Sequence, residues 1–296
     1  MISDIEQRLA EFVDREDEMR RFLALLEGQS KSVMVVTGGG GVGKSSLLAR
    51  MIHECALRRM RKSEIIWTET RNHDYMGVMR KIRDDIGPDF FKSFTDLINF
   101  FTVPQYELKV VVEGQGGISV AQGARIEGSQ VGDVAGILIK DLMLSAPRND
   151  MAVPESERMA RLTDAFLAGL ATNLDTAGPL LVFLDATEKM SQDTERWIWG
   201  ELLAAVRDGR LRGAKFVLSG RRAPELGRDW LRLVEEATLR PLDREHILVY
   251  LERRGVAAAS RAAVADILLI TTQGNVLQIA TYVDAFLQMQ EEHALA

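Results

Sequence analysis

Cysteine is almost missing from this 296-residue chain: Cys55 is the only one, so no intrachain disulfide can form. No window holds 18 consecutive apolar residues, and the N-terminus carries no apolar signal core. A reducing, cytoplasmic setting without a membrane segment is the expectation. The four histidines, His53, His73, His246 and His293, are scattered and lack metal-ligand spacing. No metal site formed by the chain alone is indicated. Basic residues are not in excess either. A net charge of −6 and a pI near 5.4 argue against a constitutive nucleic-acid surface. The one basic cluster, Arg58-Arg59-Met60-Arg61-Lys62, falls where a helix is expected to end and where cations suit the helix dipole. Fixed-period repeats are absent, and so is the N/T-K-x-D element by which GTPases read guanine.

What is present begins with Gly38-Gly39-Gly40-Gly41-Val42-Gly43-Lys44-Ser45, which satisfies G-x-x-x-x-G-K-[ST]. Ser32 to Thr37, just before it, is a β-branched strand candidate. Ser46 to Met60, just after it, carries apolar residues at helical spacing, with Leu47, Leu48, Met51, Ile52, Cys55 and Ala56 on one stripe. Strand, glycine loop and helix together form a phosphate cradle. Glycines let backbone N–H groups converge on phosphate oxygens, and the helix N-terminus adds partial positive charge. Contacts to a nucleotide are expected from Gly38 through Ser46. Lys44 would reach the β- and γ-phosphates, and the Ser45 hydroxyl would ligate Mg²⁺.

Along the chain, helical patterns surround a break near Val13-Asp14 and end near Gly28, and a second strand is expected at Glu64 to Thr68. Helices follow around Met76 to Ile86 and Phe90 to Phe101. From about 104 to 139 glycine recurs too often for a helix. That insertion fits a hairpin-like excursion or a mobile loop, the former favoured by strand-like Leu108 to Val112. A helix from Ser156 to Asp175, a strand from Leu180 to Asp185, a helix from Thr194 to Asp208 and strands at Ala214–Ser219 and Glu236–Leu239 complete an α/β pattern. Alternation of this kind implies right-handed crossovers. The expected fold is a three-layer P-loop NTPase with a mainly parallel five-stranded sheet over residues 1–241. A small α-helical domain over 242–296 follows it.

Asp185 ends a continuously apolar run, as a buried parallel strand reads, and lies at the strand end where ligands sit in open α/β sheets. It would hold Mg²⁺ through water beside Ser45. Glu188, three residues on, is the candidate to orient or deprotonate an attacking water. Arg221 leaves a neighbouring strand on the same sheet edge and could report on the γ-phosphate, because its fork matches phosphate oxygens.

Four segments together resemble the STAND class of P-loop ATPases, relatives of NACHT and NB-ARC modules within the wider AAA+ group: Phe12-Val13-Asp14-Arg15-Glu16, the glycine octet, Asp185-Ala186-Thr187-Glu188 and Leu218-Ser219-Gly220-Arg221. By that resemblance Phe12, Val13 and Arg15 lie against adenine, with Asp14 where the family usually has glycine. Leu239-Arg240-Pro241-Leu242 resembles the family's lead into its helical domain, with Pro241 near the nucleotide. Gln273-Gly274-Asn275-Val276-Leu277 resembles its Gly-Asn-Pro-Leu element, with Val276 in place of the proline. The resemblance implies an ATP/ADP- and Mg²⁺-dependent switch that hydrolyses slowly and forms a nucleotide-dependent homo-oligomer. Its protein partners, a sensor or an effector, would act in trans or lie outside this chain. The alternative is a mechanical or nucleic-acid-loading AAA+ ATPase. A non-hydrolysing scaffold and a small-molecule kinase are further readings.

Overall fold

The computed structural model describes residues 13–28, 31–67, 74–102, 108–114, 117–120, 142–144 and 153–295. In chain order these form α1 (Glu16–Glu27), β1 (Val33–Thr37), α2 (Lys44–Leu57), β2 (Arg61–Ile66), α3 (Tyr75–Ile86) and α4 (Lys92–Thr102). Then come β3 (Leu108–Gly114), β4 (Gly117–Val120), β5 (Leu142–Leu144), α5 (Glu155–Ala177) and β6 (Leu180–Asp185). The remainder is α6 (Gln192–Trp197), α7 (Leu203–Arg207), β7 (Ala214–Gly220), β8 (Val234–Thr238), α8 (Arg244–Arg253), α9 (Ala258–Thr272) and α10 (Val276–Leu295). Phe12 and the helix expected before it lie outside the described residues. Contacts divide the chain into two compact units, Met1–Phe90 with Leu170–Ala296, and Phe91–Gly169.

The first unit holds a five-stranded, all-parallel sheet in the order β2-β6-β7-β1-β8. β1 and β6 are buried along their whole length, because both faces of an inner parallel strand are covered. On one face, Met34, Val36, Leu181, Phe183 and Val217 pack against Phe22 and Leu25 of α1 and Leu47, Met51 and Cys55 of α2. Burial pushes the Cys55 thiol up to about 11, so it acts as a small apolar core residue. The helical residues after β8 have their own core, built on Leu242, Ile247, Leu251, Ile279 and Val283.

The edge strands are charged and blunted. The outward carbonyls of β8 at Val234 and Glu236 accept from Lys31 Nζ at 2.8 Å and Arg21 Nη1 at 3.0 Å, which denies that edge to another strand. On the opposite edge, the basic cluster at 58–62 begins at the end of α2 as expected, with Arg58 its C-cap, but its last two residues run on into a strand. α2 stops at Leu57, Arg59 turns with φ 55°, and Arg61 and Lys62 begin β2. Arg61 Nη1 then donates to the Gly178 carbonyl at 2.8 Å. An edge strand tolerates charges that a central strand could not hold. The helix expected at 194–208 begins earlier, at a Ser191 cap whose hydroxyl accepts from Thr194 N at 3.2 Å. A π-helical turn over Ile198–Leu202 interrupts it.

In the second unit, Phe166 stacks on Phe91 with ring centroids 5.6 Å apart and meets Phe94 edge-on at 5.5 Å. Its glycine-rich excursion carries a three-stranded antiparallel sheet in the order β4-β3-β5. Residues 104–107, 115–116 and 121–139 of the expected insertion lie outside the described residues, and β5 follows its expected end.

Lys215 of β7 closes the end of α1, where helical carbonyls run out of partners: Nζ donates to the carbonyls of Leu25, of Gly28 at 2.7 Å and of Lys31 at 3.4 Å. Lys215→Met strips these acceptors of their donor and should lower stability by about 1–3 kcal/mol. The urea midpoint reads this, and an unchanged midpoint would show that water satisfies the helix end equally well.

Candidate nucleotide-binding site

The glycine octet joins β1 to α2. Gly41 and Gly43 adopt φ of 75° and 95°, a left-handed backbone that L side chains rarely take. At Gly41 a Cβ would also lie 2.5 Å from Asn275 Oδ1. Six successive carbonyls of the loop have donors. Lys44 Nζ serves Gly38 and Gly39, both at 2.8 Å. Asn275 Nδ2 serves Gly40 at 2.8 Å, and the Leu277 backbone N–H serves Gly41 at 3.0 Å. Arg15 Nη2 serves Val42 at 3.1 Å, and Leu47 N serves Gly43 at 3.0 Å. In a planar trans peptide the N–H opposes the C=O. Elements outside the loop that hold its carbonyls therefore also hold the opposing N–H groups, the set that makes an anion nest at a helix N-terminus. Ser45 and Ser46 lie in the first turn of α2, with Ser45 exposed.

The segment before α1 reaches both this loop and the helical residues after β8. Val13 is buried in the core of the helical residues, beside Leu242 and Ile247. Asp14 has φ 54°, which accounts for glycine being usual at this position in the resembled family; aspartate is among the few residues that tolerate it. Arg15 is only 5% exposed, and its guanidinium donates to the carbonyls of Val42 and of Arg240, the latter at 2.8 Å, and pairs with Asp14. Nη2 is thus engaged by two backbone carbonyls and Nη1 by the Asp14 carboxylate. Pro241 packs at Gly274, where a Cβ would lie 3.0 Å from Pro241 Cβ and 2.1 Å from the Leu242 carbonyl. Sequence reasoning noted Asn275 within a motif but did not count it as part of the site. A glycine followed by a capping asparagine just before a helix was the available signal.

The acidic half of the site lies across β7. Asp185, 9% exposed at the end of β6, accepts on Oδ1 from Ala186 N at 2.8 Å and from the Ser219 hydroxyl of β7. Sequence reasoning left Ser219 out of the site. The register that pairs Leu184 with Leu218 makes it the neighbour of Asp185, and only strand order reveals that. The chain then turns at Ala186, with φ 58°, into Thr187 and Glu188. The Thr187 hydroxyl donates to the Ser219 carbonyl at 2.9 Å, and Glu188 Oε1 lies 3.3 Å from Arg221 Nε. Burial pulls the Lys44 ammonium below the ordinary lysine value, Glu188 and Asp185 pull it back up, and Arg221 adds a smaller downward push. Lys44, Asp185, Glu188 and Arg221 thus share one electrostatic neighbourhood at the C-terminal edge of the sheet. The Ser45 hydroxyl and the Asp185 carboxylate are hard-oxygen groups of the kind that suits Mg²⁺.

A glycine cradle on β1, an aspartate on β6 and the intervening β7 define a P-loop nucleoside triphosphatase fold. The chain belongs to the AAA ATPase domain family, which matches residues 11–212, and membership implies nucleotide binding. Among solved structures it is similar to a STAND protein with a tetratricopeptide repeat sensor from Pyrococcus horikoshii, with 16% identity over 90% of this chain and 29% of that one and a TM-score of 0.43. It is also similar to Cdc6p from Pyrobaculum aerophilum, with 15% identity, 99% and 64% of the two chains covered and a TM-score of 0.48. A Walker-type ATPase of Pyrococcus abyssi gives 17%, 96%, 75% and 0.43 in the same order. The chain therefore spans less than a third of the length of the STAND protein and 64% of Cdc6p. No curated protein matches it in sequence.

Two outcomes follow from this geometry. A Cβ on Gly220 would lie 2.3 Å from Thr187 Oγ1, so Gly220→Ala must drive that hydroxyl off the Ser219 carbonyl and loosen the turn that carries Glu188. ATP turnover should fall about tenfold or more while ATP affinity, set at the loop, stays within about twofold; equal loss of both in steady-state and binding assays would contradict this. Phosphates bind the charged form of Lys44. With its pKa lowered in the free protein, affinity should be flat below that pKa and fall as pH rises through it. The fall should begin earlier than for an ordinary lysine and vanish in Lys44→Arg.

Proposed function

We propose that this chain binds ATP with Mg²⁺, hydrolyses it slowly to ADP and phosphate, and acts as a nucleotide-dependent switch on protein partners. The observation that carries this reading is the Lys44, Asp185, Glu188 and Arg221 neighbourhood, in which the Glu188 carboxylate is already engaged by Arg221 at 3.3 Å. Slow turnover and the switch role are what the resemblance of residues 12–16, 38–45, 185–188 and 218–221 to STAND-class ATPases implies. In this assignment the N–H groups of residues 38–46 and Lys44 hold the phosphates. Ser45 and, through water, Asp185 hold the cation. Glu188 orients water toward the γ-phosphorus, and Arg221 senses that phosphate. Phe12, Val13 and Pro241 border the base. When bound, Mg²⁺ supplies charge neutralisation on the phosphate oxygens. Residues 242–296 form the part whose position the nucleotide sets. A sensor or effector acting in trans and a nucleotide-dependent homo-oligomer are the partners this reading implies.

Purified protein tests the reading directly. ADP retained on a monomer, with slow single-turnover hydrolysis, is expected of a switch. An ATP-dependent ring that turns over rapidly, or a salt-sensitive DNA shift at physiological ionic strength, would replace it with the mechanical or loading reading. Lys44→Ala should weaken ATP binding by about a hundredfold or more, because a charged phosphate contact and the ties to Gly38 and Gly39 are lost together. Glu188→Gln should slow hydrolysis and spare binding. Unchanged turnover in Glu188→Gln, with loss in Asp185→Asn, would remove Glu188 from the role of base.

A further inference from the structure

Asn275 splits its amide between two jobs. Its Oδ1 accepts from Gln278 N at 3.2 Å and caps α10, while its Nδ2 donates to the Gly40 carbonyl of the phosphate loop. Two residues on, the Leu277 N–H lies in the first turn of α10, where helical N–H groups lack intrahelical acceptors, and it takes the Gly41 carbonyl instead. The turn that presents both donors is fixed from below. Leu242 N donates to the Gly274 carbonyl at 2.9 Å, and Gly274, with φ 76°, has no room for a Cβ against Leu242 and Pro241. The loop is shaped to receive this contact, since a Cβ at Gly41 would collide with the Asn275 side chain.

Resting on the nucleotide reading above, we propose that Asn275 is a positioning residue of the phosphate site. It sets the 40–41 and 41–42 peptide planes together with the Leu277 N–H, so nucleotide affinity and the docking of the start of α10 are one linked equilibrium. Fixing the Gly40 and Gly41 carbonyls fixes the N–H groups of Gly41 and Val42 on the opposite side of their peptides, which is the arrangement an anion needs. Linkage is reciprocal: whatever the docked helix contributes to phosphate binding, bound nucleotide returns as tighter docking. The contact thereby couples residues 242–296 to the nucleotide through the phosphate loop.

The test separates donor from cap. Asn275→Ser keeps a helix-capping oxygen but is too short to reach Gly40, and Asn275→Asp is a cap as good as asparagine that offers Gly40 no donor. Asn275→Ser should lower the melting temperature of the nucleotide-free protein by no more than the few degrees one lost hydrogen bond costs, and Asn275→Asp by somewhat more, because its carboxylate faces the Gly40 carbonyl. Both should also weaken ATP and ADP alike, by about three- to tenfold for one lost hydrogen bond. In the wild type, ADP should slow hydrogen exchange at the Leu277 amide, and this protection should shrink in both variants. Full affinity in Asn275→Ser with undiminished protection of Leu277 overturns the inference. So does an affinity loss that tracks a matching drop in melting temperature, which would mark a purely structural cap. Lys44→Ala tells the two failures apart. If wild type binds neither nucleotide, or Lys44→Ala binds normally, the nucleotide reading itself falls and this inference with it. If only Asn275→Ser behaves as wild type, this inference falls alone.

Discussion

The structure hangs on the carbonyl groups of one glycine loop. A chain of backbone N–H groups facing an anion is useful only if the peptide planes cannot rotate, and glycine gives them the least resistance to rotation. Here each carbonyl from Gly38 to Gly43 is taken by a donor. The donors come from the loop's own Lys44, the first turns of α2, the segment before α1 through Arg15, and the helical residues through Asn275 and Leu277. Chain segments more than two hundred residues apart thus meet on six consecutive peptides. Arg15 extends the same logic outward, joining Val42 to Arg240 and so the loop to the connection after β8.

Strand order supplies the other half. β7 lies between the strand that feeds the loop and the strand that carries Asp185. Ser219 can therefore hold the Asp185 carboxylate while its carbonyl holds Thr187, and Arg221 can leave the same strand to meet Glu188. The carboxylates are oriented by β7 rather than by their own strand. A parallel sheet makes this economical, since every strand delivers its polar end to the same edge.

Much of this was legible from residue order, and the reasons differ by element. β6 could be read because five consecutive buried apolar residues ending in a carboxylate have few other interpretations in an α/β chain. The glycine octet could be read because φ above zero and close backbone approach admit little besides glycine. The residues from 242 on were legible as helical, but not their division into α8, α9 and α10. The start of β2 was not, since Arg61 and Lys62 resemble a solvated helix end until one knows that the strand lies at a sheet edge and that Gly178 offers Arg61 an acceptor. The π-helical turn after Trp197 left no mark in the apolar spacing.

What the sequence determined alone was local and chemical: a phosphate cradle, a buried parallel strand ending in Asp185, a nearby glutamate, and an arginine on a further strand. These follow from backbone sterics and from burial, which act over a few residues and so leave their signature in short patterns. What only tertiary structure decided was partnership. Arg15 faces backbone carbonyls because Val42 and Arg240 converge on it, Ser219 serves Asp185 because β7 is its neighbour, and Asn275 belongs to the phosphate loop because a turn packed under Leu242 brings it there. Each depends on which strands and helices lie side by side, a property of the whole packed chain that no short stretch of it can encode.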